Sequence, residues 1–145
     1  MGWLLLTAKL RLASPSEYNF IYGNWLKHYR SEIREQCPNE IFFKEHHKII
    51  EAILKRSQVM VAHDQDDTDH FFGFAVYEKH EGCTILHFVF VKDTFRRLGV
   101  ATKLLADLSE PFFYTHWTKR GVALLSKRIS AFNPYLLFEG FKWQE

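Results

Sequence analysis

The feature that most constrains the fold of this chain is an apolar run that ends in a basic, glycine-containing loop. The run covers residues 85–91, and the loop from Phe95 to Gly99 contains two adjacent arginines. Apolar side chains then recur at the spacing of one helix face, at Val100, Ala101, Leu104, Leu105 and Leu108. The pattern predicts a buried strand, a turn and an amphipathic helix in direct succession. Such a junction can bind a phosphate, because a helix start has unpaired N–H groups and Gly99 lets the backbone approach closely.

Strands and helices alternate along the rest of the chain. Ser14 is predicted to cap the first helix, with Pro15 in the first helical position and Glu17 closing a capping box. Further helices are predicted after Asn39, after Gly99 and after Thr118. Strands are predicted at 4–13, 59–62, 71–77, 84–91, 112–117 and, as one or two strands, 132–141. The resulting order is β-α-α-β-β-β-α-β-α-β.

Two of these helices have predicted buried faces. The second helix is expected to bury Phe42, Phe43, His46, Ile49, Ile50 and Ile53. The short helix that Thr118 caps is expected to carry Val122, Leu125 and Ile129. Pro134 in the last segment indicates an edge strand or a bulge.

Length and composition indicate a single domain over residues 1–145. A formal net charge of +2 argues against a protein that binds nucleic acid mainly through its charge. Cys37 and Cys83 are far apart, without metal-ligand spacing, and are expected to be reduced thiols. The apolar start, residues 1–6, lacks the basic residues of a signal peptide, and no run is long enough to span a bilayer. The sequence therefore predicts a cytoplasmic protein with no metal site.

A short motif within the basic loop carries a family resemblance. Arg96-x-x-Gly99-x-Ala101 matches the pattern [Q/R]-x-x-G-x-[G/A], and Val91 stands five residues before it, as in the GNAT-type N-acetyltransferases. The order of predicted elements also resembles the GNAT fold over almost the whole chain. That resemblance implies an α/β (α+β) fold with a mostly antiparallel, mixed central sheet flanked by helices. The alternative is an ordinary strand–helix turn with two solvated arginines.

The resemblance implies that the ligand is acetyl-CoA. Backbone N–H groups of Arg97, Leu98, Gly99, Val100, Ala101 and Thr102 would hold the pyrophosphate. The strand end at Val89, Phe90 and Val91 would pair with the pantetheine arm through main-chain hydrogen bonds. Arg96, Arg97 and Lys103 would offset phosphate charge.

Candidate catalytic residues follow from the same comparison. In many family members a Glu four residues before the motif Val acts as the general base, and this chain has His87 at that position. Strict alternation would place His87 on the strand face of Val89 and Val91, with a pKa suited to take a proton, although a half-buried structural His is the alternative. Members usually carry a Tyr in a later helix that acts as the general acid. This chain has no Tyr there, so Ser126 and Tyr135 are the nearest candidates. His116 is a further candidate, whose alternative is a hydrogen-bonded core residue.

These observations predict direct, acetyl-CoA-dependent acetyl transfer to a primary amine of a small molecule or a protein. Glu32, Glu35 and Glu40 lie in the segment expected over the acceptor side, where they would attract a cationic amine. The missing Tyr supports an alternative, a catalytically weak or inactive acyl-CoA-binding or virion-associated module. The residues 132–137 resemble the ending of small GNAT-like proteins of tailed phages, which would imply the host cytoplasm. A homodimer is left open, whereas membrane and nucleic-acid partners are not expected.

Overall fold

A computed structural model describes residues 8–33, 37–96 and 98–137 of the chain. Its sheet has six strands in the order β1 to β6. They are β1 (Ala8–Leu12), β2 (Gln58–Asp64), β3 (Phe71–His80), β4 (Cys83–Val91), β5 (Phe112–Tyr114) and β6 (Ser130–Phe132). The first four strands pair antiparallel, while β4, β5 and β6 pair parallel. The predicted mixed, mostly antiparallel sheet is confirmed.

Helices cover both faces of this sheet. They are α1 (Tyr18–Ile33), α2 (Asn39–Ile41), α3 (His47–Arg56), α4 (Val100–Leu105) and α5 (Lys119–Leu124). One apolar cluster joins α1 and α3 to the sheet through buried side chains such as Trp25, Ile53 and Phe88. The other joins α4 to the opposite face, with Val100, Ala101, Leu104, Leu105 and Leu108 all buried as predicted. Among the described residues, no helix is both long and apolar enough to cross a bilayer.

The start of α1 uses the predicted capping residues. Pro15–Glu17 form a turn of 3₁₀ helix that leads into α1, and the backbone N–H of Ser14 donates to Glu17 Oε1 at 2.8 Å. Glu17 also accepts two hydrogen bonds of 2.7 Å from the Arg11 guanidinium. The hydrogen bond from Arg11 is the largest cause that lowers the pKa of Glu17, to about 2. The capping box therefore also ties α1 to β1.

The second helix departs from the prediction at its start. Pro38 is the N-cap and Asn39 is the first helical residue. Between α2 and α3, the segment Phe42–His46 has π-helical hydrogen bonding, with more residues per turn than an α-helix. Phe43 is therefore rotated out of the predicted apolar face, and 48% of its surface is exposed.

The C-terminal third also differs from the prediction. β5 ends at Tyr114 rather than residue 117, and Thr118 caps α5 by accepting from the Gly121 N–H at 2.8 Å. Of the three apolar residues expected to anchor that helix, only Leu125 is buried, and Ile129 is 65% exposed. The predicted strand or strands at 132–141 were wrong over the described part: the strand is Ser130–Phe132, and Pro134 starts a 3₁₀ helix. Proline suits the first turn of a helix because its missing N–H would be unpaired there. Residues 138–141, and residues 4–7 of the first predicted strand, lie outside the described residues.

Candidate functional site

A bulge in β4 sets the geometry of the site. Val76 of β3 lies opposite Phe88, but the next residue, Tyr77, lies opposite Leu86, so His87 has no partner in the ladder. An extra residue of this kind interrupts the alternation of side chains along the strand. His87 therefore reaches Glu78, on the sheet face covered by α3, and not the face that Val89 and Val91 share with α4. The predicted common face of His87 and these two valines was wrong.

A cleft of about 820 Å³ opens where β4 and β5 separate. The two strands pair only at Ile85 with Phe113 and at Leu86 with Tyr114. Beyond these pairs, Phe88–Val91 form one wall of the cleft, while Thr118, Gly121 and Leu124 line it from α5. The edge of β4 that faces the cleft is thus without a neighbouring strand among the described residues, so an extended ligand can lie against it.

The basic loop closes one end of the cleft. Gly99 is the N-cap of α4 and has a φ of 80°, a left-handed conformation that glycine adopts without the clash of a Cβ. Arg96 donates from Nε to the Val91 carbonyl at 3.1 Å and forms an ion pair with Asp93. Besides Phe95, the loop and helix residues that line the cleft are Arg96, Gly99, Val100, Ala101 and Thr102, joined by Arg120 of α5. The backbone at the start of α4 and two guanidinium groups therefore border the same space.

The structure brings together most of the predicted cofactor-binding residues. Val89, Phe90 and Val91 of the strand line the cleft with the five loop and helix residues named above. Leu98 does not line the cleft. Arg97 lies outside the described residues. Lys103, the third predicted cation, instead donates from Nζ to the carbonyl of Ala8.

Helix α1 forms another side of the cleft through His28, Ser31 and Glu32. The His28 imidazole packs against the Phe90 ring with 4.5 Å between the ring centroids. Burial is the largest cause that lowers the pKa of His28, assisted by the positive charges of Lys27, Arg96 and Arg120 and opposed by Asp93. Glu32 Oε2 lies 3.4 Å from the Lys119 backbone N, at the start of α5. Sequence reasoning weighed Glu32 but missed His28, although its spacing of three and four residues to Ser31 and Glu32 places all three on one helix face.

His87 belongs to a buried hydrogen-bonded chain. Its Nε2 lies 2.6 Å from Glu78 Oε2, and its Nδ1 lies 2.8 Å from Thr115 Oγ1. The chain continues from Thr115 Oγ1 to His116 Nδ1 at 3.0 Å and from His116 Nε2 to His46 Nε2 at 2.9 Å. An ionised Glu78 only accepts hydrogen bonds, so every donor in the chain points from His46 toward Glu78.

The pKa values agree with this direction of donation. Burial alone would raise the pKa of Glu78, but hydrogen bonds from His87 and His80, with the positive charge of Arg56, lower it to about 2. Burial lowers the pKa of His87 and, more strongly, that of His116, and it lowers the pKa of His46 to about 4. Glu78 is therefore ionised at neutral pH, while these three imidazoles are neutral.

A small cavity of about 20 Å³ lies beside this chain. His87 and His116 line it, together with Phe88, Val89, Thr118 and Gly121, which also line the main cleft. His87 and His116 thus border a space next to the cleft. None of the five hydrogen-bonded residues, which are His46, Glu78, His87, Thr115 and His116, lines the cleft itself. Both ring nitrogens of His87 are already engaged.

The acetyltransferase (GNAT) family model matches residues 21–113, which include most of α1, the bulged strand and the basic loop. The chain belongs to the acetyltransferase (GNAT) family. The match covers more than half of the chain and spans the strand-to-helix junction that lines the cleft.

Solved structures of two acetyltransferases, the first two described below, share the fold. A PaiA N-acetyltransferase from Thermoplasma acidophilum, in complex with coenzyme A, is 9% identical; the match covers 83% of this chain and 87% of that one, with a TM-score of 0.57. A putative acetyltransferase from Pyrococcus furiosus is 14% identical and 95% covered on both sides, with a TM-score of 0.54. An acetyltransferase of the GNAT family from Staphylococcus aureus is 17% identical over 68% of this chain, with a TM-score of 0.49. The chain spans only 62% of that last protein's length. A search of curated proteins gave no match.

These comparisons confirm the predicted family. They give no support to a phage origin or to the alternative of an inactive, virion-associated module. In this GNAT protein neither of the two predicted acids lines the cleft. Ser126 is exposed and donates to the Ala123 carbonyl at 2.9 Å, while Tyr135 is 78% exposed in the last 3₁₀ helix.

Proposed function

We propose that this protein binds acetyl-CoA in the cleft between β4 and β5 and transfers the acetyl group directly to a primary amine of a small molecule or a protein. The observation that carries the proposal is the separation of β4 from β5 immediately beside the Gly99 turn. A strand edge that lacks a neighbour accepts an extended amide-containing arm, and the adjoining basic loop suits its phosphates. Family membership supports acyl transfer as the reaction class.

The residues that line the cleft fit such a ligand. Val89 and Val91 would hold the pantetheine arm through their main-chain groups, and the backbone from Gly99 to Thr102 would hold the pyrophosphate. Arg96 and Arg120 would offset its negative charge. The volume of about 820 Å³ lies within the range of cavities that bind cofactors and small molecules.

Acetyl-CoA supplies a thioester, whose carbonyl carbon forms the new C–N bond as the C–S bond breaks and the sulfur leaves as a thiolate. The protein's task is to orient the amine and to take a proton from it, since an ammonium nitrogen has no lone pair for attack. Neither Cys37 nor Cys83 lines the cleft, so no cysteine is placed there to carry the acetyl group. This supports direct transfer.

The proton acceptor and donor are a separate part of the proposal. His87, the base predicted from sequence, would have to act through Thr115 or Glu78, because these two residues occupy its ring nitrogens. Ser126 and Tyr135 stay predictions as acids, and their exposed positions add no support. The thiolate can also be protonated by solvent, at a lower rate.

Calorimetry with acetyl-CoA, followed by assays of CoA release with a panel of amines, tests the proposal. Gly99→Glu places a carboxylate and a Cβ where the phosphates and the left-handed backbone are expected, so it should abolish binding. Gly23→Glu, on an exposed part of α1 with no atom near the added Cβ, is the matched control and should bind normally. Failure of the wild-type protein to bind acetyl-CoA would refute the proposal. Binding without turnover of any amine would refute the transferase part.

A further inference from the structure

The cleft wall that α1 provides has a chemical character unlike that of the basic loop. His28 and Glu32 lie one helical turn apart, and both side chains border the cleft. The loop end of the same cleft carries Arg96 and Arg120. The loop end of the cleft therefore suits an anionic group. The α1 wall, with its carboxylate and imidazole, suits a cationic group.

We propose that His28 accepts the proton that the acceptor amine loses, and that Glu32 holds the same amine in its ammonium form before transfer. The inference rests on the proposed function, because it assigns residues to the acceptor side of that reaction. It also replaces His87 as the proton acceptor. His28 lines the cleft, whereas both ring nitrogens of His87 are hydrogen-bonded, one to Thr115 and one to Glu78.

The position of His28 is set by packing rather than by chance exposure. Its ring lies on Phe90, a residue of the β4 segment that forms the adjoining wall. The described hydrogen bonds and ion pairs include none from the His28 ring, so its nitrogens are not committed to another protein group in the way that those of His87 are. A half-buried imidazole at the wall of a cleft is positioned to meet a substrate.

The charges around His28 determine its protonation state. Lys27 neighbours it on α1, Arg96 and Asp93 face it from the loop after β4, and Arg120 faces it from α5. With burial, the three cations keep the imidazole neutral at pH 7, the form that can accept a proton. Phosphates bound at Arg96 and Arg120 would offset two of these charges. Ligand binding at the loop should therefore raise the pKa of His28 and make it a stronger base.

The proton balance of the step is simple. The ammonium gives one proton to the neutral His28 ring, which becomes an imidazolium, and the freed lone pair forms the C–N bond. The second proton that the nitrogen loses compensates the thiolate, so that the products are an amide and a thiol. His28 returns its proton to solvent before the next turnover.

An NMR titration of the histidine side chains tests the electrostatic part without any turnover. The His28 signal is assigned from its loss in His28→Gln, and the titration is repeated with saturating CoA. We expect a pKa below 6.5 for the free protein and an upward shift with CoA. A His28 that titrates above pH 7 in the free protein, or that CoA leaves unmoved, would overturn the proposal.

Kinetics with a reactive amine test the proton transfer. His28→Gln should lower kcat roughly 10²- to 10⁴-fold and abolish the acidic limb of the pH–rate profile, and imidazole should partly rescue His28→Ala. Glu32→Gln should raise KM for cationic amines about threefold to tenfold with little change in kcat. His47→Gln, in α3 and away from the cleft, is the control for loss of a helical histidine and should behave as the wild type.

The outcomes separate this inference from the proposed function. If His28→Gln folds, binds CoA and keeps the wild-type rate and pH profile, His28 is not the proton acceptor, while acetyl transfer stands. If His87→Gln alone removes the acidic limb, the prediction from sequence is correct and this inference is wrong. If the wild-type protein binds CoA but acetylates no amine, this inference fails together with the transferase part of the proposed function. Unaltered KM in Glu32→Gln overturns the role of the carboxylate.

Discussion

Nε2 of His87 and Oε2 of Glu78 lie 2.6 Å apart on adjacent strands, inside the sheet and away from solvent. The bulge in β4 creates this pair, because it turns His87 toward the face on which Glu78 lies. Glu78 also accepts from Arg56 at 3.1 Å and from His80 at 2.9 Å. One carboxylate thus holds together β3, β4 and the end of α3.

We expect Glu78→Gln to lower the free energy of unfolding at pH 7 by about 1–3 kcal/mol, since it leaves buried donors with weaker partners. Urea titration of the purified protein measures the change. Glu81→Gln, in the exposed turn between β3 and β4, is the matched control and should change stability by less than about 0.5 kcal/mol. Equal stability of the two variants would show that the pair does not stabilise the fold.

Acid should destabilise the protein in two steps. Between pH 6.5 and 4 the unfolded chain binds more protons than the folded one, because burial lowers the pKa of His46 to about 4. Stability that is present above pH 6.5 is therefore lost as the pH falls through this range. Glu78, with an ordinary value of 4.5 and a folded pKa of about 2, adds a further loss between these two values.

The histidine step is measured as the slope of unfolding free energy against pH. His46→Gln should flatten this slope between pH 6.5 and 4, whatever its effect on stability at pH 7. A wild-type stability that does not change over this range would contradict the buried, neutral state of His46.

Gly99 and Gly23 should respond to alanine in opposite directions. Gly99→Ala forces a side chain into a backbone with a φ of 80° and should cost about 1–2 kcal/mol. Gly23 lies within α1 with open space around a built Cβ, so Gly23→Ala should stabilise by about 0.5–1 kcal/mol. Thermal unfolding of both variants gives the comparison, and a stabilised Gly99→Ala would refute the left-handed turn.

Arg120 should contribute to the affinity for CoA through its charge. We expect Arg120→Gln to raise the Kd about threefold to tenfold at low salt, and less at high salt where the charge is screened. Lys127→Gln removes an exposed charge that does not line the cleft, and it should leave the Kd unchanged. Calorimetry at two salt concentrations distinguishes these results; an equal effect of both substitutions would refute a specific contact.

The strand–loop–helix junction could be predicted because its signals are local. The apolar run at 85–91, the glycine and the helical spacing from Val100 each act within a few residues. The structure has the strand, the turn and the helix, although α4 ends at Leu105 and Leu108 is buried beyond it. The antiparallel strands before the junction were predicted for the same reason. The end of β5 was not, because no Gly or Pro within Phe112–Trp117 marks a stop, and only pairing with β4 decides where that strand ends.

The positions of the side chains around the cleft depend on pairing and packing between separate segments, which the sequence alone does not show. No local sequence signal indicates the bulge at His87, so the prediction extended the strict alternation of side chains through it. The chain from His46 to Glu78 joins residues from four separate segments. His28 becomes a candidate only when α1 is packed beside β4. Helical spacing shows which residues share its face, but not what that face meets.

The change of strand direction at β4 has a consequence for the order in which the molecule assembles. β2, β3 and β4 follow one another through short turns, whereas β5 and β6 each supply three residues and reach the sheet only after an intervening helix. Closing the longer connections costs more chain entropy, so the antiparallel strands β2, β3 and β4 should form before β5 and α5 complete the other side of the cleft. The same imbalance should persist after folding, with amide hydrogens of β5 and α5 exchanging sooner than those of β3. We therefore expect the β5 and α5 side of the cleft to open more readily than the β4 wall, which stays paired with β3.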